Sequence, residues 1–159
     1  MKKLVFLLVL FSLLMSSCSS SKKVIRNDKK LVTKADKIVA NAFAFKGVKY
    51  KFGGTTKRGM DCSGLIYVAY QKEQIQLERV SRFMANQGTK ISLNKAKKGD
   101  LLFFKTNKSN RRINHVGLIV SVKKGIIRFI HSTTSRGVIV SSLSEKYWKN
   151  THVKTVKIL

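Results

Sequence analysis

The apolar residues of this chain keep three rhythms. Leu4 to Met15 is a nearly continuous apolar stretch, too short to span a bilayer. From Thr33 the pattern becomes helical. Apolar positions 35, 38, 39, 42 and 45 share one face, Thr33-Lys34-Ala35-Asp36 has capping-box spacing with aspartate as the acid, and Gly47 closes the segment. A second helical run, Cys62 to Glu73, has apolar residues at 62, 65, 66, 68, 69 and 70, which suits a helix buried on most of its circumference. Between these two helices, Gly47 to Gly59 is glycine-rich without a regular period and reads as a loop walling a cleft. Val80 to Gln87 reads as a short third helix. After Gly99 the period shortens to two. Asp100–Lys105, Asn114–Val122, Ile126–Ser132, Val138–Ser141 and Val153–Ile158 are β-branched or aromatic and separated by turn residues. Ser144 to Lys149 makes one helical turn that lays Tyr147 and Trp148 on the sheet. Helices first and strands afterwards predict an α+β fold, with an antiparallel sheet of about five strands covered by helices on one face.

Candidate chemistry gathers at the start of the second helix. Asp61 has the character of an N-cap, so Cys62 becomes the first helical residue. Unpaired N–H groups and the positive end of the helix dipole there favour a thiolate. A lone cysteine is otherwise an inert core residue, so the histidines decide. There are three, His115, His131 and His152. Lys123-Lys124-Gly125 predicts a three-residue hairpin loop with Gly125 in the left-handed position. That register sets residue 115 opposite 133 and 117 opposite 131. His115 and His131 then share a face as diagonal neighbours, roughly 7–8 Å apart. A slip of one residue would put them on opposite faces. Cys62, His115 and His131 thus have the makings of a nucleophile, a base and the group that orients the base.

Several motifs in the same order resemble the NlpC-type family of papain-like cysteine peptidases, which cleave peptide bonds in peptidoglycan. They are Tyr50-Lys51-Phe52-Gly53-Gly54, Asp61-Cys62-Ser63-Gly64-Leu65, Arg79-Val80-Ser81 with Gln87-Gly88, Lys98-Gly99-Asp100-Leu101-Leu102-Phe103-Phe104 and Asn114-His115-Val116-Gly117, then a histidine one strand later. The resemblance spans residues 33–150. Glu78 departs from it, standing where the family often has proline. The resemblance implies a papain-like fold, a Cys62–His115–His131 site and no cofactor. It makes Tyr50 a candidate to assist the oxyanion, against a plain packing role. Asp61, Ser63, Ser81 and Arg82 become candidate substrate contacts, against ordinary solvated side chains for the last two. The family cuts either the D-glutamyl–diamino-acid bond within a stem peptide or the cross-link between stems, and both remain open.

Compartment follows from the first residues. Lys2 and Lys3 precede the apolar stretch, and Ser16-Ser17-Cys18 follows it. This resembles a bacterial lipobox, with Met15 where leucine is usual. The expected organisation is a leader at 1–17, a lipid on Cys18, a flexible tether at 18–30 and the peptidase domain at 31–159. An ordinary secretory signal cut near Ser17 is the other reading. Lipid on Cys18 leaves Cys62 free, so no disulfide is expected. Ser19, in place of the aspartate that often retains lipoproteins, points to the outer membrane facing the periplasm in a two-membrane host.

Charge narrows the partners. The chain carries 33 basic and 7 acidic residues, a net +26. Such a balance suits nucleic acid or an anionic surface. An exported protein without a nucleic-acid motif leaves peptidoglycan carboxylates and anionic envelope polymers as counter-charges. A zinc site from Cys62 and the histidines lacks metal-type C-x-x-C or H-x-x-x-H spacing. A catalytically silent envelope lipoprotein that binds anionic wall polymer is the rival from another class. A monomer is expected.

Overall fold

The first helix begins at the expected capping box. Thr33 Oγ1 accepts from Asp36 N at 3.1 Å, and Asp36 Oδ2 accepts from Thr33 N at 2.9 Å. Two N–H groups that a helix start leaves unpaired are thereby satisfied. Helix α1, Lys34–Phe43, buries Ile38, Val39 and Ala42. The computed structural model describes residues 31–107, 109 and 112–159. The expected leader, Cys18 and the tether lie outside these residues.

The glycine-rich segment is more regular than expected of a loop. It contains a short hairpin of β1, Thr55–Thr56, and β2, Gly59–Met60. Strands of two residues carry no alternation to read. Helix α2 follows at Cys62–Gln71, with seven of its ten residues buried from Cys62 to Tyr70. Helix α3 is Ser81–Met84, shorter at both ends than expected.

The sheet has six strands rather than five. They are β3 (Thr89–Ile91), β4 (Leu101–Phe104), β5 (His115–Lys123), β6 (Ile126–Thr133), β7 (Gly137–Ser142) and β8 (His152–Lys157). Their order is β3-β8-β4-β5-β6-β7, with every pair antiparallel. The unexpected strand is β3, a three-residue edge whose first two residues are exposed, so no buried face marks it in sequence. Helix α4, Lys146–Thr151, precedes β8.

Both faces of the sheet are packed, where cover on one face was expected. Leu101 and Phe103 of β4 join the core under α1 and α2. Leu102 and Phe104, the alternate residues, join a second cluster with Ala96, Ile119, Phe129 and Trp148. Complete burial of Phe103 and Phe104 contributes about 1.5–3 kcal/mol for each ring. The second cluster also supports the functional histidines, because His115 and His131 occupy the same strand parity as Ile119 and Phe129.

The β5–β6 hairpin corrects one expectation and keeps another. Lys123 pairs with Ile126, so the loop is the two residues Lys124-Gly125, both with positive φ (48° and 76°), rather than three. The register shifts between Ile119 and Ser121, leaving Val120 as a bulge. Beyond the bulge Leu118 faces Ile130. The shorter loop and the bulge cancel, and His115 and His131 stand on one face.

Candidate active site

A buried carboxylate organises the start of α2. Asp61 Oδ1 accepts from Gly64 N at 2.7 Å and Asp61 Oδ2 from Gly53 N at 2.8 Å. Arg79 grips the same carboxylate with both arms, Nη1 to Oδ1 at 2.9 Å and Nη2 to Oδ2 at 2.7 Å. Nη1 also donates to Ser63 Oγ at 2.9 Å, and Nη2 to Gly54 O at 3.3 Å. One guanidinium therefore ties the helix start to the glycine-rich wall. Gly64 makes this approach possible, since a Cβ there would meet Gly54 O at 2.2 Å. Burial pushes the Asp61 carboxyl upward, but Arg79 and the two N–H groups outweigh it and hold the carboxyl below its ordinary range.

Arg79 belongs to a motif in the sequence, yet its role was not legible there; the only signal was that a carboxylate at a buried helix start needs a counter-charge. Asp61 is 6% exposed, and removing its partner strands a charge. Arg79→Ala is expected to destabilise the fold by about 2 kcal/mol, between the exposed and buried limits, because Arg79 keeps some solvent. Arg79→Lys should recover part of this without the two-armed geometry. Chemical denaturation of the three proteins measures both effects.

The histidines form a buried relay. His115 Nε2 and His131 Nδ1 are 2.9 Å apart, and His131 Nε2 lies 3.0 Å from Ser141 Oγ. For His115 to act as a base through Nδ1, its Nε2–H must donate to His131 Nδ1. His131 then carries its proton on Nε2 and donates to Ser141. Ser141 is buried and was not singled out from the sequence, where it is one serine at the end of a strand. Trp148 stacks on His115 at 5.3 Å between ring centroids and meets His131 edge-on at 4.6 Å. Ser132 Oγ donates to Met60 O at 2.8 Å, which fastens the histidine strand to the residue before Asp61.

Cys62 is the free cysteine at this junction, buried beside the backbone of Asn114. Burial pushes its thiol up to about 11, and backbone N–H groups of Val116, Ser63 and Cys62 recover only part. This corrects the expected thiolate: desolvation outweighs the helix dipole. Burial also lowers His115 and His131, the latter further by the charges of its neighbours. Both shifts favour the neutral forms, thiol and imidazole, near neutral pH.

The histidine shifts have a consequence for stability. His115 falls from 6.5 to about 4 on folding. Between those values the unfolded chain binds protons that the folded site refuses, so the folded state loses stability as pH falls through this window. Denaturation midpoints should drop between pH 7 and 4.5, and His131→Asn should flatten that dependence.

Two cavities meet at Cys62. One, of about 480 Å³, is lined by Cys62, His115, Trp148, Tyr147, Arg136 and Glu145 among others. The second, of about 600 Å³, contains Cys62 with Asp61, Ser63, Arg79, Ser81 and Arg82 but not His115. Tyr50 borders both. Every other candidate from the sequence within the described residues lines one of these cavities, whereas His131 is fully buried and lines neither; Ser63 is already bound by Arg79, and Arg82 lies over the Phe83 ring at 4.7 Å. His152 also lines neither; its Nε2 pairs with Thr155 Oγ1 at 3.0 Å behind Phe104. Arg79, Arg136 and Glu145 are the cleft residues that sequence reasoning passed over. Among the described residues, no group of three His, Cys, Asp or Glu side chains is placed to hold a metal ion.

Comparison with known proteins agrees with this geometry. A probable endopeptidase NlpC homolog of Haemophilus influenzae is 36% identical over 137 residues, covering 85% of this chain and 69% of its own. The murein DD-endopeptidase MepS/murein LD-carboxypeptidase of Escherichia coli is 32% identical over 145 residues, covering 91% and 73%. The crystal structure of a NlpC/P60 family protein from Bacillus cereus superposes with a TM-score of 0.71 at 26% identity; the match covers 79% of this chain and 40% of that longer one. The sequence pattern of the NlpC/P60 family matches residues 47–157, and the chain belongs to that family of peptidases.

Proposed function

We propose that the chain is a lipid-anchored peptidoglycan endopeptidase that works through Cys62, His115 and His131. The observation that carries this reading is the 2.9 Å contact of His115 Nε2 with His131 Nδ1, with His115 and Cys62 lining one cavity. Cys62 Sγ bonds to the peptide carbonyl carbon while its proton passes to His115 Nδ1. Transfer within a neutral pair leaves the net charge of the buried site unchanged, which suits the raised thiol and lowered imidazole. The Cys62 N–H and the Tyr50 hydroxyl stabilise the oxyanion. As the C–N bond breaks, His115 returns the proton to the leaving amine and a thioester remains on Cys62. Water, deprotonated by His115, then releases the acyl half. No cofactor enters these steps.

The two cavities take opposite halves of the substrate. The leaving amine must lie near His115, which borders only the first cavity. The acyl half stays on Cys62 and extends into the second, where Asp61, Ser81 and Arg82 are its candidate contacts. Relatives named as murein endopeptidases support peptidoglycan as the substrate. Digestion of purified sacculi followed by mass spectrometry of the soluble fragments tests the activity and identifies the bond. Hydrolysis that persists in the Cys62→Ser protein would reject the site.

Residues 1–17 are the proposed leader, 18–30 the tether and 31–159 the peptidase domain, with lipid on Cys18 holding a monomer at the envelope, on the outer membrane in a two-membrane host. Labelling with a fatty-acid analogue should mark the wild type and not Cys18→Ala, which should become soluble with unchanged activity on small peptides. An unlabelled wild type would return the leader to an ordinary secretory signal.

A further inference from the structure

A third cavity, of about 450 Å³, shares no lining residue with the two that contain Cys62. It lies at the edge of the sheet made by β3 and β8, against the start of α1. Among the described residues its apolar lining is Ala35 of α1, Ile91 of β3 and Leu159. Ala35 and Leu159 converge on Gly99, where a Cβ would meet Ala35 Cβ at 2.9 Å and Leu159 Cδ1 at 3.4 Å. Lys95, Lys97, Lys98 and Lys157 line the same cavity, whereas neither Cys62 cavity has a lysine among its described lining residues. Lys98 is paired with Asp36 of α1. The other three lysines are exposed and make no ion pair among the described residues. One acid, Asp100, also borders the cavity, but it is buried and its Oδ2 already accepts from Lys97 N at 2.7 Å. Three unpaired ammonium groups outnumber it, so the cavity favours an anion.

A solvated basic face needs no apolar hollow, and an apolar hollow needs no lysines. Together they match a molecule with an anionic head and a hydrocarbon body. Position along the chain narrows the choice. The folded domain opens at Val32, three residues before Ala35, and Cys18 stands seventeen positions before Ala35. Seventeen residues reach at most about 60 Å. Lipid on Cys18 therefore keeps this cavity near the membrane that holds the anchor and raises the effective concentration of headgroups around it. The intervening Lys22, Lys23, Arg26, Lys29 and Lys30, against the single acid Asp28, suit the same anionic surface.

We propose that this cavity binds an anionic phospholipid of the anchoring membrane, giving the domain a second hold beside the lipid on Cys18. The phosphate goes to Lys95, Lys97 and Lys157, and the hydrocarbon to Ala35, Ile91 and Leu159. This rests on the lipid-anchored reading above and deepens it. No residue lining either Cys62 cavity takes part, so a domain docked in this way keeps its cleft free for the wall.

The test uses the chain from residue 18 onward with Cys18→Ala, which keeps the whole domain and carries no lipid. Co-sedimentation compares vesicles of phosphatidylcholine alone with vesicles that also contain phosphatidylglycerol. Two triple variants lose the same charge. One carries Lys95→Gln, Lys97→Gln and Lys157→Gln at the cavity; the other carries Lys46→Gln, Lys57→Gln and Lys123→Gln at exposed lysines outside it. The cavity variant should bind the anionic vesicles about tenfold more weakly than the control variant. Equal losses, or no binding of the parent chain to anionic vesicles, overturn the proposal. A second measurement needs no variant. NMR titration with a short-chain phosphatidylglycerol below its micellar concentration should shift the amides of Ile91, Lys157 and Leu159, and the matching phosphatidylcholine should not. Shifts confined to other residues, or equal shifts from inorganic phosphate alone, overturn the proposal. Neither measurement depends on Cys18, so a wild type that fatty-acid labelling leaves unmarked would overturn the anchor and not the site.

Discussion

Cys62→Ser is expected to lower cleavage of stem peptides by about 10⁴-fold or more, the scale on which loss of a nucleophile from such a site is felt. Oxygen replaces sulfur with little change in shape, so packing against the α1–α2 core and the Asp61 cap should persist. Unchanged denaturation midpoints would establish that the loss is chemical. The size of the effect follows from the resting state. A buried thiol near 11 can lose its proton to His115 as the carbon–sulfur bond forms, whereas a serine hydroxyl is a far weaker acid.

The histidines should separate by role. His115→Ala removes both the base that accepts the thiol proton and the acid that protonates the leaving amine, so a loss of about 10³–10⁴-fold is expected. His131→Asn should keep more activity than His131→Ala, because its amide oxygen can accept the Nε2–H of His115 and hold that ring's tautomer. His152→Ala should stay close to wild type, since its ring bonds Thr155 outside both Cys62 cavities. Steady-state kinetics on one small peptide ranks all four. An essential His152 with a dispensable His131 would contradict the relay.

What the sequence disclosed depended on whether the deciding contact was local. The Thr33 capping box and the Asp61 cap each act within three residues, and both stand as read. Alternation in β5 and β6 put His115 and His131 on one face, but by a different route from the one inferred. The turn lost one residue and Val120 restored the register as a bulge. A bulge leaves no mark in an uninterrupted run such as Val116 to Val122. Edge strand β3 was missed because an edge with two solvated residues shows no buried face. Ionisation at Cys62 was misread for a tertiary reason: the dipole of a helix start is local, whereas desolvation needs the sheet and α1 in place. Arg79 and Glu145 reach the cleft, and Ser141 reaches His131, only once folding brings three separate segments together.

The most direct test is to titrate cleavage against alkylation of Cys62. Iodoacetamide is added in steps at mildly alkaline pH, where more of the raised thiol ionises. At each step, peptide mapping by mass spectrometry gives the modified fraction of Cys62 and, in protein produced without residues 1–17 and therefore without lipid, of Cys18, and hydrolysis of a stem peptide is measured on the same sample. Activity should fall in proportion to modification of Cys62 and be indifferent to Cys18, with excess substrate slowing the reaction at Cys62. Protein fully alkylated at Cys62 that still hydrolyses the peptide would contradict the account.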